Sequence, residues 1–425
     1  MEDVESIRLT FVGTGVSCAI PVIGHLTTSC ACRDAIAHPD GPNRRNNVAL
    51  LLSRRFARGA GGGVEWHHVM FDCGKTFRNA YMRVLAPLRV EYVDALLLTH
   101  GHADAMHCVE ELCGMQAEAA ARYTSPPTTG TTGAVPRTLR RVPTFLTAPT
   151  LEQVAMVSPE LVQHCNHLGA APATRAAYRQ ALAATEAAAS TSCPAAPTTL
   201  DLFYMDETQP QRMYVPLGPL SISDAAAAAA ADDDDVTDAG SSGTDIPFYS
   251  FPVEHGKGYI SMAWVFGRGT AFKSRQQQQQ QQQQLERGSC VVYISDVSEV
   301  PAASMTFLQD LVKIDVLVLD LLAGHGERSA SHMCADDVIP LIVALAPHRV
   351  YFVGMFCSLE HHDANAALAQ ELQDLKQQYR RARTAAAAAD AAGTADTETE
   401  RNRAFVERVC SMELAYDGQQ LILPA

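Results

Sequence analysis

Leu96-Leu-Leu-Thr99-His100-Gly-His102-Ala-Asp104 gathers two imidazoles and a carboxylate into one short stretch. The residues before His100 have the apolar run of a buried strand. Over residues 104–116, Met106, Val109, Leu112 and Cys113 recur at helical spacing. The chemistry-bearing group therefore stands at a strand-to-helix junction. Side chains two residues apart on extended backbone point the same way, so His100 and His102 can face one cation together. Asp104 opens the helix, where a carboxylate serves equally as cap and as ligand. Neutral imidazoles with a carboxylate suit Zn²⁺, Mn²⁺ or Fe²⁺. A His-x-His pair alone also fits a polar turn, and partners elsewhere in the chain decide between the two.

Elements that could position such a group come in two series. Residues 7–12 alternate and end at Gly13-Thr-Gly15, a strand running into a tight turn, and 48–52, 69–71 and 93–98 read as further strands. Later strands are expected at 248–253, 259–266, 290–294, 316–319 and 350–353, with helices at 302–312, 334–346 and 364–383. A final strand or hairpin is expected over 412–423 around Asp417-Gly418. Two series of strands with helices interposed predict two sheets packed together and covered by helices, an α+β fold. Biased tracts interrupt this pattern near 122–141, 171–199, 224–245, 273–288 and 384–402, including the polyglutamine 276–284. They read as insertions into one domain spanning 1–425, with the alanine-rich pieces able to form local helix.

The 425 residues carry 33 Lys+Arg against 47 Asp+Glu, a net charge of −14, with 47% hydrophobic and 19% charged residues. That composition is globular rather than disordered. The acidic balance opposes nucleic acid as a main partner, since such binding draws on clustered cations. No apolar run approaches the roughly 20 residues that span a bilayer. Met1-Glu2-Asp3 is acidic where a secretory signal would be basic, so a cytoplasmic protein with reduced thiols is expected. Among twelve cysteines, Cys30-x-Cys32 is the closest pair.

Further signatures follow in order along the chain. They are Phe11-Val-Gly-Thr-Gly-Val-Ser17, Asn43-Arg44-Arg45-Asn46-Asn47, Phe71-Asp72-Cys-Gly74-Lys75, Pro252-Val-Glu-His255-Gly, Tyr293-Ile-Ser-Asp296-Val-Ser and Ser329-Ala-Ser-His332-Met. Gly354-Met-Phe-Cys357-Ser-Leu-Glu-His361-His362 and Ala415-Tyr-Asp-Gly418 complete the series. Together with residues 100–104 they resemble the metallo-β-lactamase superfamily. The likeness is to the branch containing the cyclic phosphodiesterase of phosphonate utilisation and its eukaryotic relatives.

The resemblance implies an αββα four-layer sandwich. It implies that His100, His102 and His255 hold one metal, that Asp104 and His332 hold a second, and that Asp296 bridges them, with Asp104 and Asp296 catalytic. One or two Zn or Mn ions would activate a hydroxide against a small cyclic or nucleotide-like phosphoester. Asp72 is expected either to fix a ligand imidazole or to cap a turn. Lys75 and Arg44 are expected at the surface or on a substrate anion. Two departures stand out: Ala105 follows Asp104 where the commonest motif has histidine, and Cys357 replaces the last first-site histidine. Cys357 is either a soft substitute ligand favouring zinc or the mark of a lost one. The branch also has a structural zinc near its amino end, for which His25, Cys30 and Cys32 are the candidates here. His107 and His325 read as ordinary helix and loop histidines. A transfer-RNA 3′-processing endonuclease and a non-catalytic binding protein are the alternative functions. No membrane partner is expected, and a homodimer is left open.

Overall fold

Val291-Val-Tyr-Ile294, Val316-Leu-Val-Leu-Asp320 and Arg349-Val-Tyr-Phe-Val353 are apolar at nearly every position, as strands covered on both faces must be. In the computed structural model they are neighbouring strands in parallel register. The structure describes residues 6–25, 30–57, 64–124, 141–189, 199–217, 246–275, 288–389 and 397–424.

Fifteen strands are described. They are β1 (Ser6–Gly13), β2 (Ala49–Ala57), β3 (Val64–Phe71), β4 (Ala95–Leu97), β5 (Arg141–Leu146), β6 (Asn166–Ala170), β7 (Thr199–Tyr204) and β8 (Gln211–Met213). β9 (Phe248–Glu254), β10 (Ile260–Phe266), β11 (Val291–Ile294), β12 (Val316–Asp320), β13 (Arg349–Val353), β14 (Ser411–Leu414) and β15 (Gln420–Pro424) follow. An eight-stranded sheet has the order β15-β1-β2-β3-β4-β5-β7-β6, and a seven-stranded sheet the order β14-β13-β12-β11-β10-β9-β8. The helices used below are α1 (Ala31–Ala37), α2 (Ala103–Met106), α3 (Val109–Thr124), α4 (Arg175–Ala189), α5 (Ala335–Leu345) and α6 (His361–Ala389). Two mixed sheets with accompanying helices are the parts list of the expected sandwich.

The chain falls into two compact units, Met1–Val12 with Ala49–Ser250 and Gln420–Ala425, and Gly13–Val48 with Phe251–Gln419. In the first unit, Leu51, Met70, Leu96, Leu98, Leu112 and Val142 belong to one buried cluster that fixes β4 and the junction beyond it. Burying each such side chain contributes about 1.5–3 kcal/mol. In the second unit, β11, β12 and β13 are buried along nearly their whole length. No helix among the described residues is long and apolar enough to cross a membrane.

Two expectations are revised, and a third, local helix in an alanine-rich stretch, is met with more burial than such a tract suggests. The single helix expected at 104–116 is two, α2 and α3, because Cys108 N donates to Cys73 O at 2.9 Å instead of continuing the first helix. The strands flanking Asp417-Gly418 form no hairpin: β14 pairs with β13, and β15 with β1. Within the alanine-rich stretch, α4 forms and buries Tyr178 against Phe203 and Tyr214. The polyglutamine lies outside the described residues.

Candidate metal centre

In the first unit, β4 ends two residues before Thr99, and His100 and His102 follow before α2 begins. Their rings lie 4.8 Å apart, centroid to centroid, and nearly perpendicular. A relay fixes the first of them. Asp72 accepts from Thr99 N at 2.8 Å and from the Thr99 hydroxyl at 2.9 Å, and Thr99 Oγ1 lies 2.9 Å from His100 Nδ1. The hydroxyl proton is committed to the carboxylate, so His100 Nδ1–H must donate, and Nε2 keeps the lone pair. Asp72 therefore fixes a histidine, one of the two roles expected of it, and does so through Thr99.

Asp72 occupies left-handed backbone (φ +62°), a conformation that non-glycine residues seldom adopt. Cys73 N and Lys75 N donate to Ala105 O and Ala103 O, which lays residues 72–75 along α2. Gly74 is required there, since a Cβ would fall 1.6 Å from Asp104 O. Asp104 is half-buried in the first turn of α2.

In the second unit, His255 follows β9, Asp296 follows β11 and Asp320 ends β12, while His332 stands just before α5. His255, Asp296 and His332 offer donor atoms all within 4.8 Å of one another. His255 Nδ1 donates to Ser331 O at 2.7 Å, and His332 Nδ1 donates to Asp320 Oδ2 at 2.8 Å. Both rings are thus held with the lone pair on Nε2, as partners at Nδ1 commonly do for metal-binding histidines.

Asp320 was not foreseen. It is fully buried, and burial pushes its carboxyl up to about 7 against the pull of His332. Its Oδ1 has no hydrogen-bond partner. Gly354, at φ +76°, leaves room for that oxygen, since a Cβ would lie 2.1 Å from it. The sequence signal was available: a carboxylate closing an otherwise apolar, buried strand needs a partner.

A third donor group lies in the second unit. His25 Nδ1 is 3.7 Å from Cys30 Sγ, 3.8 Å from Cys32 Sγ and 3.4 Å from Cys357 Sγ. Around one zinc, tetrahedral Zn–S and Zn–N bonds give S···N edges of about 3.6 Å, close to these values. Burial and the neighbouring sulfurs push the Cys357 thiol up to about 12. Such a set ionises readily only with a cation among it.

No family model matches the chain, and no curated protein matches it. Among solved structures it is similar to a diphosphatase of the PhnP family, with 16% identity, 98% of this chain and 97% of that one covered, and a TM-score of 0.51. The chain has the metallo-β-lactamase fold. It is also similar to a long-form RNase Z from yeast, with 10% identity, 98% of this chain and 42% of that one covered, and a TM-score of 0.47. For the Zn²⁺-bound PqqB of Methylobacterium extorquens the values are 10% identity, 97% and 99% coverage, and 0.46.

Within this metallo-β-lactamase fold one expectation is corrected. Cys357 groups with His25, Cys30 and Cys32, and not with His255, Asp296 and His332. The backbone explains it: Val16 N donates to Met355 O, Arg45 Nη1 to Phe356 O, and Ala31 N to Cys357 O, which directs Cys357 toward α1. His361 and His362 stack edge-on at the start of α6, where burial lowers His361 to about 4. His107 and Lys75 are exposed and Arg44 is half-buried. Arg45, which no reading singled out, is buried and donates to Phe356 O and Leu359 O, holding the segment that carries Cys357.

Proposed function

We propose that the chain is a metal-dependent hydrolase acting on a small cyclic or nucleotide-like phosphodiester. His100, His102, Asp104, His255, Asp296 and His332 are the proposed ligands of its hydrolytic centre. The observation that carries the reading is the state of three histidines: His100, His255 and His332 each have Nδ1 bound by a protein acceptor, so each presents Nε2 as a lone-pair donor. Zinc or manganese held by these residues would supply a water acidified toward neutral pH and would neutralise charge on a phosphoryl group.

The protein's own part is orientation. Thr99 with Asp72 holds the proton on His100 Nδ1, the Ser331 carbonyl holds that of His255, and Asp320 holds that of His332. Asp296, next to the buried end of β11, supplies a carboxylate 4.0 Å from His332 Nδ1. The net charge of −14 supports a small substrate over RNA, which would need a basic track. A second cation, zinc, is proposed for His25, Cys30, Cys32 and Cys357. The preference of thiolate for zinc belongs to that site, and the hydrolytic ligands are nitrogen and oxygen only.

Hydrolysis of bis(p-nitrophenyl) phosphate by the protein supplied with Zn²⁺ or Mn²⁺ tests the reading. Asp296→Ala is expected to lower kcat/KM by about 10²–10³-fold and to reduce bound metal. Undiminished turnover and metal content in that variant would refute the assignment.

A further inference from the structure

Residues 321–334 join β12 to α5 and carry both Ser331, the acceptor for His255, and His332 itself. Backbone bonds close the base of this loop, Leu322 N to Met333 O at 2.8 Å and Ala335 N to Ala323 O at 3.1 Å. Its middle is different. Residues 325–328 are exposed, and a Cβ at Gly324 or Gly326 would meet nothing within 4 Å, so packing does not fix the chain there.

His325 lies in that stretch, between two glycines, and both its nitrogens are engaged. Nδ1 is 2.6 Å from Asp336 Oδ1 in the first turn of α5, and Nε2 is 2.8 Å from Glu371 Oε1 on α6. Gly326 N adds a bond to Asp336 Oδ2 at 2.9 Å. Ionised carboxylates only accept, so an imidazole that satisfies both must carry two N–H groups and a positive charge. Arg328 of the same loop also acts on Asp336.

We propose that His325 is a positioning residue. As an imidazolium bridging Asp336 and Glu371, it fastens the loop that presents Ser331 and His332, and its deprotonation releases one of the two anchors. The proposal rests on the reading of His255 and His332 as metal ligands for its functional consequence, but the fastening stands independently. The shifts agree: the hydrogen bond from Asp336 raises His325, and the bond from His325 lowers Asp336. A histidine raised in the folded state contributes its full stabilisation below its unfolded pKa, and loses it as the pH climbs through the folded one. The loop is therefore tight at low pH and loosens as the pH rises beyond the ordinary histidine value.

Hydrogen exchange of the full chain, read on peptides covering 321–334 and corrected for intrinsic rates, tests this at about pH 6 and about pH 9. The wild type is expected to lose about tenfold in protection between the two, while peptides from β11 and β12 change little. His325→Gln is expected to show the lower protection at both, and Glu371→Gln to move the wild-type transition to lower pH. Mn²⁺ affinity, measured at the same two pH values, is expected to follow the loop, with His325→Gln several-fold weaker at about pH 6. Equal protection in wild type and His325→Gln at every pH would overturn the proposal. Loop protection that follows His325 without any Mn²⁺ binding would instead keep the fastening and overturn the metal-centre reading.

Discussion

Asp320 shows how one side chain sets the chemistry of another. Its carboxylate accepts from His332 Nδ1 and, at 3.2 Å, from Val297 N beside Asp296, so one buried acid orders two proposed ligands. Asp320→Asn preserves the shape but offers an amide that can donate to Nδ1, which favours the wrong tautomer. Metal affinity at the hydrolytic centre is expected to fall about 10–100-fold, with the fold intact by circular dichroism. Affinity equal to wild type by isothermal titration would show that Asp320 does not set that tautomer. His100, His102, Asp104, His255, Asp296 and His332 could be singled out as candidates because each sits in a short motif. Asp320 was overlooked: its place at the end of an apolar strand was a signal, but it belongs to no motif and its partner is twelve residues away in sequence.

At the scale of elements, the loop after β13 is tied to residues 20–25 and 30–37 through Cys357. Ile20, Ala31, Cys32, Ala35 and Cys357 share a buried cluster, and Ile20 and Arg45 exchange backbone bonds at 2.8 and 3.1 Å. A cation at the four-donor site would crosslink segments more than three hundred residues apart in the chain, for His25 and Cys357 are separated by 332 positions. Cys357→Ala is expected to lose one tightly held zinc per chain and to lower Tm on the order of 5–10 °C. Manganese binding at the hydrolytic centre should persist. Unchanged zinc content and Tm would show that the four donors hold no structural ion. Strand positions were readable from apolar runs, but pairing was not. β14 and β15 looked like a hairpin because a turn dipeptide separates them, and only the partners β13 and β1 reveal that they part. The placement of Cys357 was hidden for the same reason, because sequence order assigns it to a motif and the backbone assigns it to α1.

For the molecule as a whole, acid is the destabilising direction at buried His68. Burial pushes His68, with its ring on Ser53 Oγ at 2.8 Å, down to about 3, aided by His67 and Arg8. A histidine lowered on folding leaves the unfolded chain binding more protons. Stability from its burial is complete above the unfolded pKa and is lost as pH falls toward the folded one. Unfolding free energy of the wild type, relative to His68→Gln, is expected to fall by about 1.4 kcal/mol per pH unit below about pH 6.5. Parallel denaturant curves for the two proteins from pH about 7 to about 5 would contradict that. The two-sheet architecture was visible in the apolar strands, whereas the docking of α4 was hidden in an alanine-rich tract whose buried Tyr178 finds partners on β7 and at Tyr214. The account depends most on histidines and carboxylates from distant segments holding metal, and anomalous diffraction from crystals grown with Zn²⁺ and Mn²⁺, collected at both absorption edges, tests it directly. It predicts a peak against Nε2 of His255 and His332 with Asp296, and a separate zinc peak among His25, Cys30, Cys32 and Cys357. Crystals soaked in both metals that show no anomalous density at His255, Asp296 and His332 would contradict it.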